Sequence, residues 1–368
     1  MRKPYIPQHL PLDSIDWTSH VSLIAKANAA LARFDGILEA MVNPALLLSP
    51  MATQEAVLSS RIEGTQATLE EVLEFEADPK RKMEPSKYAD IQEIINYRRA
   101  MDYAVKLLKE RPICLNLIKE LHAILLDSVR GANKARGEFR RVQNWIGPPG
   151  CAMEEATFIP PSPGILLQAL DNWEKYLHFE EKERLVQLAV IKAQFELIHP
   201  FLDGNGRIGR MLVPLFLYEK KLLSQPMFYL SAYLERNRQQ YYHALNAISE
   251  KDDWNGWIHF FLTAITEQAK ENTRKARAIL ELYEDMKQKV PGITRSRYSV
   301  RAIDALFARP LFSSRDFMRI SKIPKISAFR ILNELKESGI IQILQEGKGN
   351  RASIMMFGKV FEITEDII

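Results

Sequence analysis

Cysteine is scarce in this chain, with only Cys114 and Cys151 among 368 residues. Two thiols without metal-ligand spacing exclude a disulfide framework and a cysteine zinc site, and both read as reduced and structural. Seven histidines are too sparse for a zinc cluster. No stretch approaches the roughly 18 consecutive apolar residues of a membrane span. The opening run MRKPYIPQHLPLD lacks the apolar core of a signal peptide, so the expectation is a cytoplasmic protein without membrane contact. A large excess of one charge is also missing. The net charge is +4, and from Pro291 onward 13 Lys and Arg stand against 8 Asp and Glu, which leaves the first 290 residues at −1. The small basic surplus therefore belongs to the C-terminal part, where it signals nucleic-acid contact only weakly.

What the chain has is ordinary globular composition, 46% hydrophobic and 26% charged, and enough length for two or three domains. Strand-like alternation is rare before the last quarter, so the fold class is mainly α. A helix is predicted over 50–63, with Pro50 near its start and Gly64 as its C-cap. Thr68-Leu69-Glu70-Glu71 forms a capping box that opens another. Further helices are expected near 90–109, 115–126, 165–178 and 184–198. Between Gly137 and Pro163 two short β-like runs, 142–146 and 157–159, flank a Gly/Pro-rich turn and read as a hairpin. Small or apolar residues at Ile265, Ala269, Ala276, Ile279, Tyr283, Met286 and Val290 predict one long helix with a narrow seam, for packing within the chain or for a coiled-coil homodimer. A linker over 291–299 precedes three short helices, 301–308, 314–320 and 327–338, and two β-rich runs around Gly347-Lys348-Gly349-Asn350.

The most informative segment is HPFLDGNGRIGR, from His199 to Arg210. A Gly-Asn-Gly turn leading into a helix aims backbone N–H groups at one spot and favours a phosphate there. His199 stands just before the turn, where an imidazole can take a proton from an attacking hydroxyl. Asp203 offers a hard oxygen to Mg²⁺, while Arg207 and Arg210, three apart, project as a pair of cations.

At His199, Pro200, Phe201, Asp203, Gly204, Asn205, Gly206, Arg207 and Arg210 this segment fills every defined place of HPF-x-[DE]-GNGR-x-x-R, and the chain resembles the Fic family. The resemblance implies a Fic-type helical bundle with a β-hairpin flap, and transfer of AMP from ATP to a Ser, Thr or Tyr hydroxyl of a protein. His199 would be the base, Asp203 the Mg²⁺ ligand and Asn205 an α-phosphate contact. Arg207 and Arg210 would hold the β- and γ-phosphates, Gly204 and Gly206 would shape the cradle, and Phe201 would anchor the loop. In the Doc branch a Lys replaces the second glycine, so Gly206 argues for AMP rather than phosphate transfer. The hairpin between Val142 and Ile159 would be the flap that aligns an extended protein segment along a strand edge; a plain structural hairpin fits the same residues. Tyr242, in a Fic-like stretch over 229–248, would border the adenine, or it is a core tyrosine. Trp254 and Trp257 read as core.

A second segment, Ser59-Ser60-Arg61-Ile62-Glu63-Gly64, resembles the family's inhibitory motif [ST]-x-x-x-E-[GN]. Ser59 and Glu63 share one helix face, and a carboxylate at a helix C-terminus opposes the macrodipole, so a compensating cation is expected. The resemblance supplies Arg210. Removal of AMP, with Glu63 positioning a water, is the reverse reading. Self-modification is a further possibility, because the chain's own hydroxyls are at high local concentration. The C-terminal unit resembles a winged helix, with Lys325, Arg330 and Lys336 on the groove-reading helix and Lys348 and Arg351 on the wing. It reads as a DNA-binding or a docking module. The expected division is 1–110 N-terminal helical region, 111–264 catalytic core, 265–290 connecting helix and 291–368 winged helix.

Overall fold

The computed structural model describes residues 3–127, 135–148, 150–347 and 352–366. In chain order the helices are α1 (Trp17–Ala40), α2 (Pro44–Leu47), α3 (Ser49–Ile62), α4 (Leu69–Ala77), α5 (Pro85–Leu107), α6 (Leu115–Leu125), α7 (Pro163–Leu177), α8 (Arg184–Ile198), α9 (Asn205–Glu219), α10 (Ser231–Arg236), α11 (Arg238–Lys251), α12 (Trp254–Thr294) and α13 (Ser299–Ala308). Strand β1 (Leu311–Ser313) follows, then α14 (Ser314–Ser321), α15 (Lys325–Glu337), β2 (Gln342–Gln345), β3 (Ile354–Met356) and α16 (Gly358–Glu365). No helix among the described residues is long and apolar enough to cross a membrane.

Contacts group the chain into two compact units, each built from non-contiguous segments. One comprises Met1–Asp35, Leu58–Gly64 and Ile95–Lys270. Its central helix is α8, whose sequence RLVQLAVIKAQFELI is apolar almost all round and is buried on nearly every side. Helices α7 and α9 pack against it. The indoles of Trp173 and Trp257 donate to the α8 carbonyls of Ile191 and Ala189, each at 2.8 Å, which satisfies both N–H groups inside the core. Trp254 and Trp257 are core residues, as the sequence suggests.

The second unit comprises Gly36–Val57, Thr65–Ile94 and Glu271–Ile368. Thr68 and Glu71 form the expected capping box at the start of α4. Leu69 and Leu73 of α4 share an apolar cluster with Leu311 of β1, Ile354 of β3 and Phe361 of α16. The sheet is antiparallel with order β1-β3-β2. The two expected C-terminal strands are present, and β1 and α16 are additions that the sequence pattern did not announce. The wing turn with Lys348 and Arg351 lies outside the described residues.

Three expectations need correction. The linker over 291–299 is largely helical: α12 runs through Pro291 to Thr294 and ends where Arg295 adopts a left-handed φ of +42°. The seam of α12 is covered within the single chain, with Ile265, Ala269, Ala276, Ile279, Met286 and Val290 buried and the Tyr283 hydroxyl donating to Asp304 at 2.7 Å. It is therefore not an open face for a homodimer. Among the described residues the hairpin shows one bridge, between Ile146 and Phe158, in place of paired strands. Pro148, Pro160 and Pro161 carry no amide proton for a ladder, and a single 3₁₀ turn, Met153–Glu155, fills the tip. Side chains replace the ladder instead, with Gln143 donating to Pro160 O at 2.9 Å and Asn144 to Phe201 O at 3.1 Å.

Candidate active site

Helix α8 ends at His199, whose backbone is left-handed with φ +48°. That residue turns the chain out of the helix and into the loop leading to α9. Phe201 is fully buried, with its ring stacked on His122 at 3.8 Å and tilted against Phe139 at 5.2 Å. The loop is closed by Asn205, which accepts from Phe201 N–H and donates to Phe201 O, each at 2.9 Å. Both ends of this amide are thus engaged by the loop. The Asn205 side chain thus helps build the cradle, and its amide carries a second N–H beyond the one this bond uses. Gly204 takes φ +78° at the N-cap of α9, a conformation that costs a glycine little.

The imidazole of His199 has Nδ1 3.2 Å from Glu196 O. A carbonyl only accepts, so Nδ1 carries the proton and Nε2 keeps its lone pair. Burial, above all, holds the His199 pKa below the usual histidine value, which keeps the ring neutral and able to act as a base at neutral pH. Asp203 accepts from Gly204 N–H at 2.6 Å and lies 3.4 Å from Arg207 Nη2. Its carbonyl receives His122 Nε2 at 3.0 Å, while His122 Nδ1 accepts from Gly137 N–H at 2.9 Å. Buried His122 is pushed down to about 4 by desolvation and stays neutral in this bridge.

Arg210 reaches back to the end of α3. Its Nε donates to Ser59 Oγ at 2.8 Å, and its Nη2 donates to Ser59 O at 2.8 Å and to Glu63 Oε1 at 2.7 Å. Burial alone would raise the Glu63 pKa, but the Arg210 charge and hydrogen bond outweigh it and hold the carboxyl below its ordinary value. Burial likewise opposes the Arg210 cation, and the Glu63 charge overcomes it. The compensating partner expected at the α3 C-terminus is therefore present, and Arg238 adds a second, donating to Ile62 O at 2.6 Å. A Cβ on Gly206 would stand 2.1 Å from Glu63 Oε1, so only glycine there admits the carboxylate.

A cavity of about 350 Å³ joins these groups. Glu63, His199, Gly206 and Arg210 line one side, Trp145, Ile146 and Phe158 of the hairpin another, and Tyr242, Leu245 and Asn246 a third. Asp203 and Arg207 are not among the residues lining it. Sequence reasoning missed a buried network beneath the floor, where Lys192 Nζ donates to Glu196 Oε1 at 2.7 Å and meets Tyr241 OH at 2.9 Å. A lone lysine in an otherwise apolar helix was its signal. Sequence reasoning also missed His122 and Arg140, which no motif marks. Among the described residues no cluster of three or more His, Cys, Asp and Glu gathers for a metal. A Mg²⁺ bridging a triphosphate needs only one or two protein carboxylates, and Asp203, about a third exposed beside the cradle, fits that demand.

On α15, Arg330 pairs with Glu334 at 2.8 Å and donates to Thr294 O at 2.9 Å. The same helix exposes Ile326 and Phe329.

Comparison with known proteins agrees with the motif. The description "Fic/DOC family N-terminal" matches residues 21–106 and "Fic/DOC family" matches 112–217, together just over half of the 368 residues. The Protein adenylyltransferase Fic of Drosophila grimshawi is 33% identical over 168 residues, 44% of this chain and 30% of that protein. Its namesake in Drosophila melanogaster is 30% identical over 199 residues, 52% of this chain and 36% of that protein. The chain thus spans about a third of the length of the curated relatives it matches. A Fic family protein from Desulfovibrio desulfuricans G20 superposes with a TM-score of 0.58 over 97% of this chain and 99% of that one, at 21% identity. A Fic domain containing signaling protein from Bacteroides thetaiotaomicron gives 0.54 over 69% and 97%, at 16% identity. These two likenesses concern the fold.

Proposed function

The chain belongs to the Fic/DOC family, and from that premise we propose that it is a protein adenylyltransferase restrained by its own Glu63. The observation that carries this reading is the grip of Ser59 and Glu63 on Arg210 inside the cavity that His199 lines. A cation suited to a terminal phosphate is neutralised in the cavity that the base also lines, which is the arrangement a brake requires.

In the proposed reaction His199 Nε2 receives the proton of a Ser, Thr or Tyr hydroxyl on a protein, a second protein or this one. The hydroxyl oxygen forms its bond to the α-phosphorus of ATP, the bond from that phosphorus to the β-bridging oxygen breaks, and pyrophosphate leaves. Backbone N–H groups at the start of α9 and the guanidinium of Arg207 favour the phosphates. Asp203 would hold Mg²⁺, which when bound offsets negative charge on the phosphates. Tyr242 offers a ring face for adenine. The flap, joined at Ile146 and Phe158, would align an extended segment of the target. The resemblance supports AMP rather than phosphate transfer, since the Doc branch has a lysine at the place that Gly206 fills.

A second reading within the same site is removal of AMP. Its support is that Glu63 keeps about a third of its side chain exposed in the cavity it shares with His199, where a carboxylate can orient a water. For residues 291–368 the sequence of three helices with an antiparallel sheet supports a winged helix. Ile326 and Phe329 on its α15 face, and the engagement of Arg330, keep DNA contact outside the proposal.

The test is AMP incorporation from labelled ATP. Glu63→Gly is expected to raise it by on the order of tenfold or more, and His199→Ala in that background to abolish it while the melting temperature stays. Equal incorporation by wild type and Glu63→Gly contradicts the brake, and transfer by the His199 variant contradicts the base. On an AMP-modified target, the second reading requires wild type to remove the label and Glu63→Gly to leave it.

A further inference from the structure

Arg140 lies at the base of the flap and is 2% exposed, yet among the described residues no carboxylate pairs with it. Its guanidinium is given wholly to main-chain carbonyls. Nε donates to His199 O at 2.9 Å, Nη2 to Pro161 O at 2.6 Å and Ile198 O at 3.3 Å, and Nη1 to Val142 O at 3.2 Å. Its own N–H donates to Pro200 O at 2.9 Å. Two of these acceptors, Ile198 and His199, are carbonyls at the end of α8, which lack partners within the helix. A cation there also complements the helix dipole. The other two, Val142 and Pro161, belong to opposite arms of the flap, where the ladder that would join them is missing.

We infer that Arg140 is a positioning residue for AMP transfer, a clamp that fixes both arms of the flap to the main chain of the residue bearing the base. A hydroxyl presented along the flap and the imidazole that receives its proton then share one frame. The inference rests on the adenylyltransferase reading. Lysine cannot replace the clamp, because an ammonium is a point donor and lacks the planar fork that spans four carbonyls.

The experiment uses the full chain carrying Glu63→Gly as parent, with Arg140→Gln and Arg140→Lys added singly. Each is assayed for AMP incorporation, for ATP affinity by calorimetry with Mg²⁺, and for amide hydrogen exchange. Arg140→Gln is expected to lower kcat on the order of 100-fold, as a displacement of about 1 Å does. ATP affinity should stay within about threefold of the parent, and Arg140→Lys should recover no more than about a tenth of the lost rate. Exchange should quicken together in 142–147 and 197–201. A kcat within about threefold of the parent in both variants overturns the clamp, as does exchange that quickens in only one of the two segments. Failure of both variants to fold overturns it in favour of a plain helix cap. If the parent itself transfers no AMP, the adenylyltransferase reading falls, and the paired exchange alone then decides whether Arg140 couples the two segments.

Discussion

A guanidinium with 1% of its surface exposed must find its donors' partners inside the protein, and Arg210 finds them in Ser59 and Glu63. The same carboxylate fits only because residue 206 has no side chain. Gly206→Ala is therefore expected to push Glu63 away from Arg210 and to destabilise by about 1 kcal/mol, since the carboxylate is about a third exposed and can turn toward solvent. With Glu63→Gly already present the added methyl meets no carboxylate, and most of that cost should vanish. Denaturant melts of the two single variants and the double complete the cycle, and additive effects would contradict the contact. At this scale the site was largely legible. His199, Gly206, Arg210 and Glu63 line one cavity, with Ser59 bonded to Arg210 beside it, and the two motifs name all five. Asn205 closes the loop through its side-chain amide, a role that spacing alone does not separate from contact with a ligand. Arg140 sits beside Arg141 in an unremarkable run, and nothing in the order of residues reveals that one of them is buried among carbonyls.

Helices declared themselves through caps and periodicity, and α8 begins and ends where its pattern predicts. The Thr68 box is the plainest case, with Thr68 Oγ1 accepting from Glu71 N–H at 3.2 Å and Glu71 accepting from Thr68 N–H at 2.9 Å. Thr68→Ala should cost about 1 kcal/mol, read as a lower urea midpoint with an unchanged slope. An unmoved midpoint would mean that α4 is held by its packing alone, through Leu69 and Leu73. The hairpin was the least legible element. Val142 to Ile146 has the apolar and aromatic content of a short strand, but pairing needs donors on the facing run, and prolines at 160 and 161 withhold them. Proline misled in the opposite sense at 291, where α12 continues for another turn and Thr294 Oγ1 donates to Val290 O at 2.9 Å.

Composition bounded the whole molecule without identifying it, since a mainly helical chain of modest charge fits many activities. Assembly from non-contiguous segments was not readable in the order of the chain: residues 58–64 join the unit that carries His199, while the residues on either side of them belong to the other. That grouping brings the α3 terminus within reach of Arg210, more than a hundred residues later in sequence. The central claim is that this reach restrains transfer of AMP from ATP. The most direct measurement incubates wild type, Glu63→Gly and the Glu63→Gly, His199→Ala double variant with Mg²⁺ and ATP labelled at either the α- or the γ-phosphorus. Label from the α position should enter protein on the order of tenfold or more faster with Glu63→Gly than with wild type and not at all with the double variant, and γ label with none of the three. Protein-bound γ label, or equal α label in wild type and Glu63→Gly, would contradict the account.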